Sequence, residues 1–245
     1  MSKVVLITGG SRGIGAATAR VLAAEGYDVA VNYAGNAEAA AAVVSEIQAA
    51  GQRAIAVQAD TADPAAVKTM FETVDRELGP LTALVNNAGV ITQRGRLDEL
   101  TDETIERMIA VNIKGYIHCT REAVKRMSTK HGGSGGAIVN VSSGSAHLGS
   151  PNDSILYAMT KGAVNSLTVG LSQELAKEGV RVNTVAPGLV ETDMPGPEAI
   201  ARRAPSLPTG RAGQPEEIAH GISYLLSEKA SYTSGANLRI AGGRI

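Results

Sequence analysis

Short β-rich runs alternate with helical patterns from one end of the chain to the other, and this alternation limits the fold more than any other feature of the sequence. Val4–Thr8 reads as a strand, Ile14–Glu25 as a helix ending near Gly26, Asp28–Asn32 as a strand, and Ala37–Ala50 as a helix stopped by Gly51. Ala54–Gln58 is a third strand, and Pro64 opens the next helix where its missing N–H costs little. Thr82–Asn86 follows as a strand. A long helix starts near Thr101, a suitable cap, with Asp102 and Glu103 at the positive end of its dipole, and runs towards Met127. Gly136–Ser142, Val180–Ala186 and Asn237–Ala241 are strands, and Ser154–Glu178 and Pro215–Ser227 are helices. This order with short turns predicts an α/β fold, a doubly wound parallel sheet with helices on both faces. In such sheets ligands bind beyond the carboxyl ends of the strands. No linker or repeat interrupts residues 1–245, which read as one domain. Met194–Gln214, rich in Pro, Gly, Arg and Ala, has no firm pattern and reads as a lid or substrate-binding segment.

Composition excludes several function classes. Lys and Arg number 23 against 24 Asp and Glu, so no electrostatic footprint for nucleic acid or an anionic membrane is present. One Phe and no Trp leave little to stack on single-stranded bases. No apolar run approaches the ~20 residues of a membrane span. The single Cys119 cannot form an internal disulfide and reads as a small buried hydrophobe. With no signal-peptide pattern, a reducing, cytoplasmic setting is expected. No His, Cys, Asp or Glu grouping has metal-ligand spacing.

The stretch ITGGSRGIGAA, Ile7 to Ala17, joins the first strand to the first helix. Gly9-Gly10-Ser11-Arg12-Gly13 satisfies G-x-S-x-G, the turn that presents a hydrolase nucleophile. The same turn suits a loop whose N–H groups hold phosphate at a helix N-terminus. The strict G-x-G-x-x-G fingerprint fails, because Thr18 stands three after Gly15. Gly132–Gly136 also matches G-x-S-x-G, but Ser134 precedes a strand, the wrong context for a nucleophile.

Tyr157 and Lys161, four apart on a helix, share one face. An ammonium beside a phenol favours the phenolate, so the spacing predicts a lowered Tyr157 pKa suited to proton transfer. Tyr-x-x-x-Lys alone is a weak signal. Ser142 and Ser143 end a strand, where they could donate to a substrate carbonyl or simply turn the chain.

Together these residues resemble the short-chain dehydrogenase/reductase family over essentially the full length. The matching elements fall in the family's order: Thr8-Gly9-x-x-x-Gly13-x-Gly15, Asn86-Asn87-Ala88-Gly89, Asn112, Ser143, Tyr157-x-x-x-Lys161, Pro187-Gly188 and Thr192. The resemblance extends to 3-oxoacyl-carrier-protein reductases and sugar-dehydrogenase-like members. It implies a Rossmann-type sheet and oxidation or reduction at a secondary alcohol or carbonyl, with a small-molecule substrate and a homotetrameric assembly. It implies that Tyr157 is the general acid/base, that Lys161 lowers its pKa and bonds the nicotinamide ribose, and that Ser143 orients the carbonyl. Asn112 would hold a water linking Lys161 to a proton relay. Ser143 lies fourteen residues before Tyr157, where many members have thirteen, which points to a one-residue insertion in His147–Ser154; Ser142 and Ser145 are the other choices.

The resemblance also assigns cofactor contacts. Gly9, Ser11, Arg12, Gly13, Ile14 and Gly15 form the phosphate loop, and Asn32 and Tyr33 end the second strand. Asp60 and Thr61 reach the adenine, with Asp60 alternatively capping the helix ahead of Pro64. Asn87, Ala88 and Gly89 lie against the adenosine side, and Pro187, Gly188, Val190 and Thr192 line the carboxamide. NAD sites usually place a carboxylate on the ribose 2′-OH, but Tyr33 fills that slot and no acid follows until Glu38. With Arg12 available to a 2′-phosphate, NADP(H) is favoured and NAD(H) is the alternative.

Lys125, Arg126 and Lys130 end the long helix and read as complements to its dipole, or as a docking patch for an acidic carrier protein. His147 faces solvent or substrate. Two other function classes compete. A serine hydrolase would use Ser11 with one of His118, His131, His147 or His220, and leaves Tyr157, Lys161 and Asn112 unexplained. A catalytically silent dinucleotide-binding protein is the other.

Overall fold

Val4 and Leu6 point to one side of the first strand and Val5 and Ile7 to the other, and all four are buried, so this strand must be covered on both faces. The computed structural model describes residues 3–244; Met1, Ser2 and Ile245, the ends of the one-domain expectation, lie outside them. The strands are β1 (Lys3–Ile7), β2 (Tyr27–Tyr33), β3 (Ala54–Gln58), β4 (Ala83–Asn86), β5 (Gly136–Val141), β6 (Val180–Pro187) and β7 (Asn237–Ile240). They form one seven-stranded sheet in the order β3-β2-β1-β4-β5-β6-β7, and every neighbouring pair is parallel.

The helices are α1 (Gly13–Ala24), α2 (Ala37–Ala49), α3 (Pro64–Glu77), α4 (Asp102–Ile109) and α5 (Gly115–Met127). After β5 come α6 (Ser145–Leu148), α7 (Ile155–Glu174), α8 (Pro197–Arg203) and α9 (Pro215–Leu226). Leu22 of α1, Ile47 of α2 and Ile222 of α9 cover one face with Val29, Val85, Val139 and Val185 of the sheet. Met70 and Phe71 of α3, with Cys119 and Met127 of α5, cover the other face over Leu84, Ile138 and Val182. The doubly wound expectation is thus met on both sides.

Chain order reverses at β1, which pairs with β2 on one side and β4 on the other. The helices that follow β1 and β4 therefore pack on opposite faces of the sheet, and a crevice opens at the carboxyl edge, as such a switch point requires.

Local chemistry alters several expected boundaries. The long helix from Thr101 is capped as expected, with Thr101 Oγ1 accepting the Thr104 N–H at 3.3 Å. It is then broken by a π-helical turn at Ala110–Lys114, which separates α4 from α5. Asp63, rather than Asp60, caps α3, accepting the Ala65 N–H at 2.8 Å. The Ser154–Glu178 helix stops at Glu174 and continues as a 3-10 turn at Ala176–Glu178. Met194–Gln214 holds α8 and a 3-10 turn at Ala204–Ser206, both begun with proline in their first positions.

Gly15 fixes how closely α1 approaches the edge of the sheet. A Cβ there would lie 2.3 Å from the Gly9 carbonyl oxygen and 2.7 Å from Asn87 Nδ2. A Cβ at Gly170, on an exposed part of α7, would meet nothing within 4 Å. Gly15→Ala should lower unfolding stability in urea by about 1–3 kcal/mol. Gly170→Ala should raise it by about 0.5–1 kcal/mol, since only the helix-propensity gain remains. Equal effects of the two substitutions would contradict this packing.

Candidate active site

The two loops at the switch point are sewn together by side chains. Thr8 Oγ1 accepts the N–H groups of Asn87 at 2.9 Å and Ala88 at 3.0 Å. Asn87 Nδ2 donates to the carbonyls of Thr8 and Gly9, both at 3.0 Å. From the other side, Asn32 Oδ1 accepts the Gly9 N–H at 3.2 Å, while its Nδ2 donates to Val57 and Ala59 carbonyls at 3.2 and 3.0 Å. Gly9 and Gly13 stand at φ 61° and 52°, in the left-handed region that glycine enters without strain. A loop this closely held, with no side chain capping the first turn of α1 and no acid in it, leaves N–H groups open to an anion.

Beyond this loop lies a cavity of about 680 Å³ along the carboxyl edge of the sheet. Gly9, Ser11, Arg12, Gly13 and Ile14 line it, with Asn32 and Tyr33 from β2, and Asp60 and Thr61 after β3. Asn87, Ala88 and Gly89 after β4 line it too, as do Pro187, Gly188, Val190 and Thr192 after β6. Ser143, Tyr157 and Lys161 complete that wall. Gly15 and Asn112 do not line it. Gly15 packs behind the loop, where a side chain would meet the Gly9 carbonyl and Asn87. The Asn32 side chain is likewise spent on the backbone clamp. A cavity lined by both a glycine cradle and the Ser143, Tyr157 and Lys161 side chains is of a kind that fits a dinucleotide.

Asn112 is buried in the π-helical turn. Its Oδ1 accepts the Val90 N–H and its Nδ2 donates to the Val90 carbonyl, both at 2.9 Å, and to Thr160 Oγ1 at 3.2 Å. The side chain therefore fastens the loop after β4 to α7, and the expected water-holding role does not fall to its amide. Gly89 packs beside both Asn112 Oδ1 and Lys161 Nζ.

The serines separate by what they touch. Ser142 is buried at the cavity wall, and its hydroxyl is spent on the Lys161 carbonyl at 3.1 Å. Ser143 lines the cavity, accepts the Ser145 N–H at 3.1 Å and is hydrogen-bonded to the Tyr157 phenol. The fourteen-residue spacing thus brings Ser143, not Ser142, to the tyrosine.

Tyr157 corrects a second expectation. Burial pushes its phenol up to about 12, against the opposing effects of the Ser143 hydrogen bond and the Arg94 charge. Lys161 does not offset this, because it is buried itself and burial brings its amine down to about 7. Lys161 Nζ donates to the Val141 carbonyl at 2.8 Å and Tyr116 Oη at 3.0 Å, and lies 5.6 Å from the Tyr157 ring centroid. Tyr116 in turn donates to the same Val141 carbonyl at 2.8 Å. Sequence reasoning passed over Tyr116; its place four residues after Asn112 was the available signal.

Elsewhere the ions pair locally. Asp60 takes Arg107 at 2.7 Å and the Ala62 N–H at 3.0 Å, so the capping alternative for it fails. Arg12 and Asp193 stand 3.7 Å apart and exposed. Lys125 and Arg126 are tied to Glu122, and Arg126 also to Asp75, which accounts for most of the helix-end cluster; Lys130 is exposed. His147 is exposed and outside the cavity. No histidine among the described residues lines the cavity, so Ser11 has no base there and the hydrolase reading loses its geometry. Burial pushes the Cys119 thiol up to about 12, which suits its reading as an inert hydrophobe. Among the described residues no cluster of His, Cys, Asp or Glu could hold a metal ion, and no helix is long and apolar enough to cross a membrane.

The comparisons with known proteins agree with this geometry. Residues 3–202 match the family model described as short chain dehydrogenase. An uncharacterized oxidoreductase, YgfF of Escherichia coli K12, is 50% identical over 98% of this chain and 99% of its own. The 3-oxoacyl-[acyl-carrier-protein] reductase FabG of Staphylococcus aureus is 41% identical over 99% of this chain and 98% of its own. A short-chain dehydrogenase from Burkholderia cenocepacia, solved in complex with NADP, superimposes with a TM-score of 0.90 at 40% identity, covering 98% and 97% of the two chains. The chain belongs to the short-chain dehydrogenase family and is an oxidoreductase of alcohol or carbonyl groups.

Proposed function

We propose that this protein is an NADP(H)-linked carbonyl reductase, equally a secondary-alcohol dehydrogenase in reverse, with Tyr157 as its proton donor and acceptor. One observation carries the reading: the buried Tyr157, with Ser143 and Lys161, shares a cavity with a glycine cradle at a helix N-terminus. The nicotinamide, when bound, supplies or accepts the hydride. Ser143 and Tyr157 both present hydroxyls to one point of the cavity, where a substrate carbonyl oxygen can accept from each. With its pKa raised, Tyr157 stays protonated at neutral pH and is set to give its proton as charge develops on that oxygen. Lys161 bridges Val141 and Tyr116 and fixes the helix that carries Tyr157, with its amine free to reach ribose hydroxyls. Asn112 positions Gly89 and Val90 beneath the same wall.

Three features support NADP(H) over NAD(H). Tyr33 occupies the end of β2, and the residues after it that line the cavity are Ala34, Gly35 and Asn36, none of them acidic. Asp60 is already held by Arg107. Arg12 lies exposed on the phosphate loop, held only by a distant Asp193. The Burkholderia cenocepacia relative, solved with NADP, points the same way. The one-domain organisation, the homotetramer and the cytoplasmic setting belong to the same proposal.

Tyr157→Phe should bind NADPH nearly as the native protein does and lose about 100-fold or more in ketone-dependent NADPH oxidation; substantial residual turnover would contradict the proton-transfer role. Tyr33→Asp should move the ratio of NADPH to NADH activity towards NADH by about tenfold or more, and an unchanged ratio would count against the β2 assignment. Lys161 makes a pH-dependent contribution. Its folded-state pKa is lowered, so the unfolded chain binds more protons between about pH 7 and about pH 10, and native stability rises across that window. Below about pH 7 the cost, of order 4 kcal/mol, is fully present. Lys161→Met should therefore gain most in melting temperature over the native protein near neutrality and lose that advantage by about pH 10. A difference that does not vary with pH would show that Lys161 is not buried as an amine.

A further inference from the structure

The substrate end of the cavity is built by two loops that meet beyond Tyr157. The loop after β4 carries Arg94, and the loop before α7 carries Asp153. They are joined by a backbone bridge in which the Gly95 N–H donates to the Asp153 carbonyl at 2.9 Å. Arg94 Nη1 then donates to both carboxylate oxygens of Asp153, each at 2.9 Å, and the Ser154 hydroxyl donates to one of them at 3.0 Å. Ser150 and Asn152 hold φ values of 45° and 58°, a conformation that non-glycine residues keep only where their surroundings impose it. This strained stretch lies within the insertion expected in His147–Ser154, and it delivers Asp153 to Arg94.

Charge at this end does not balance. Arg94, Asp153 and Arg203 line the cavity there, with Leu148 and Met194 as apolar walls. Burial alone would raise the Asp153 carboxyl, but the Arg94 and Ser154 hydrogen bonds and the charges of Arg94 and Arg203 hold it below its ordinary value. Arg203 therefore sits within electrostatic reach of the same carboxylate. Two guanidinium groups face one acid. Arg94 spends only Nη1; among the described residues its Nε and Nη2, and the whole guanidinium of Arg203, have no hydrogen-bonding or ion-pair partner. The other acids lining the cavity are engaged elsewhere, Asp60 by Arg107 and Asp193 by Arg12. Arg94 is also near enough for its charge to act on the Tyr157 phenol.

We infer that the substrate carries a small oxyanion, a carboxylate or a phosphate ester, seated on Arg94 and Arg203 while its carbonyl faces Tyr157 and Ser143. This rests on the carbonyl-reductase reading above. Asp153 is a positioning residue: it holds Arg94 through Nη1 at the cavity wall and leaves Nε and Nη2 unspent. A planar guanidinium with free N–H groups matches an oxyanion in charge and in hydrogen-bond geometry, whereas a neutral ketone offers these two cations no charge to pair with.

The test compares matched pairs: levulinate with its methyl ester, acetoacetate with its methyl ester, and dihydroxyacetone phosphate with dihydroxyacetone. In NADPH oxidation at least one anion should exceed its neutral partner by about 10- to 100-fold in kcat/KM, through a lower KM. Arg203→Gln and Arg94→Gln should each shrink that ratio by about tenfold, with the pairs showing whether carboxylate or phosphate is preferred. A ratio of one or less in the native protein, or a ratio unmoved by both substitutions, would overturn the inference. Calorimetric titration of the same pairs into the protein with NADP+ keeps the two readings apart. Tighter binding of an anion supports the inference even if no ketone turns over, a result that would count against the reductase reading alone. Equal binding of acids and esters overturns the inference even if both are reduced.

Discussion

Everything at the site hangs on the seam between β1 and β4. Thr8 and Asn87 exchange hydrogen bonds across the point where strand order reverses, so the loops that leave the two strands cannot separate. One loop becomes a phosphate cradle because Gly9 and Gly13 turn into left-handed backbone and Gly15 lets α1 close over them. The other carries Gly89 to the edge of Asn112 and Lys161. Parallel strands place all these loops at one edge of the sheet, and the two apolar layers hold that edge fixed. Position at the site is thus inherited from pairing far inside the core.

The electrostatics follow from burial more than from pairing. Lys161 is buried on the inner side of α7 with two neutral oxygen acceptors and no carboxylate, which favours its uncharged form. Tyr157, buried beside it, keeps its proton. A phenol in that state is prepared to donate, and the reduction direction asks for a donor. Ser143 and, after it, the Arg94 charge oppose this, and Arg94 belongs to the same cluster that leaves that end of the cavity positive. On the proposed reading, proton transfer and substrate charge would thus be linked through one side chain.

What could be read in the sequence was what repeats locally. The central parallel strands are buried apolar runs, and all seven strands were recognisable, with β3 matched from Ala54 to Gln58 and β7 exposed at the sheet edge. The four-residue step from Tyr157 to Lys161 fixed their shared face, and the motif order carried the family. What could not be read was which polar side chain answers a group distant in the chain. Asn32 and Asn112 look like cofactor and relay residues in sequence, yet their amides are consumed by backbone from other segments. Asp60 could reach the adenine or cap α3 on paper, and only the structure shows Asp63 in the cap and Asp60 held by Arg107 from across the fold. The π-helical turn leaves no mark on hydrophobic periodicity. The direction of the Tyr157 shift depended on depth of burial, which spacing does not report, and Arg94 and Asp153 meet only because a strained loop brings them together.

The central claim is that the cradle and the Tyr157 wall form one nicotinamide dinucleotide site. Titrating the purified protein into NADPH and into NADH, and following nicotinamide fluorescence, tests it most directly. The account predicts saturable binding at one site per chain, tighter for NADPH. Absence of binding for both dinucleotides, in a folded protein, would contradict it.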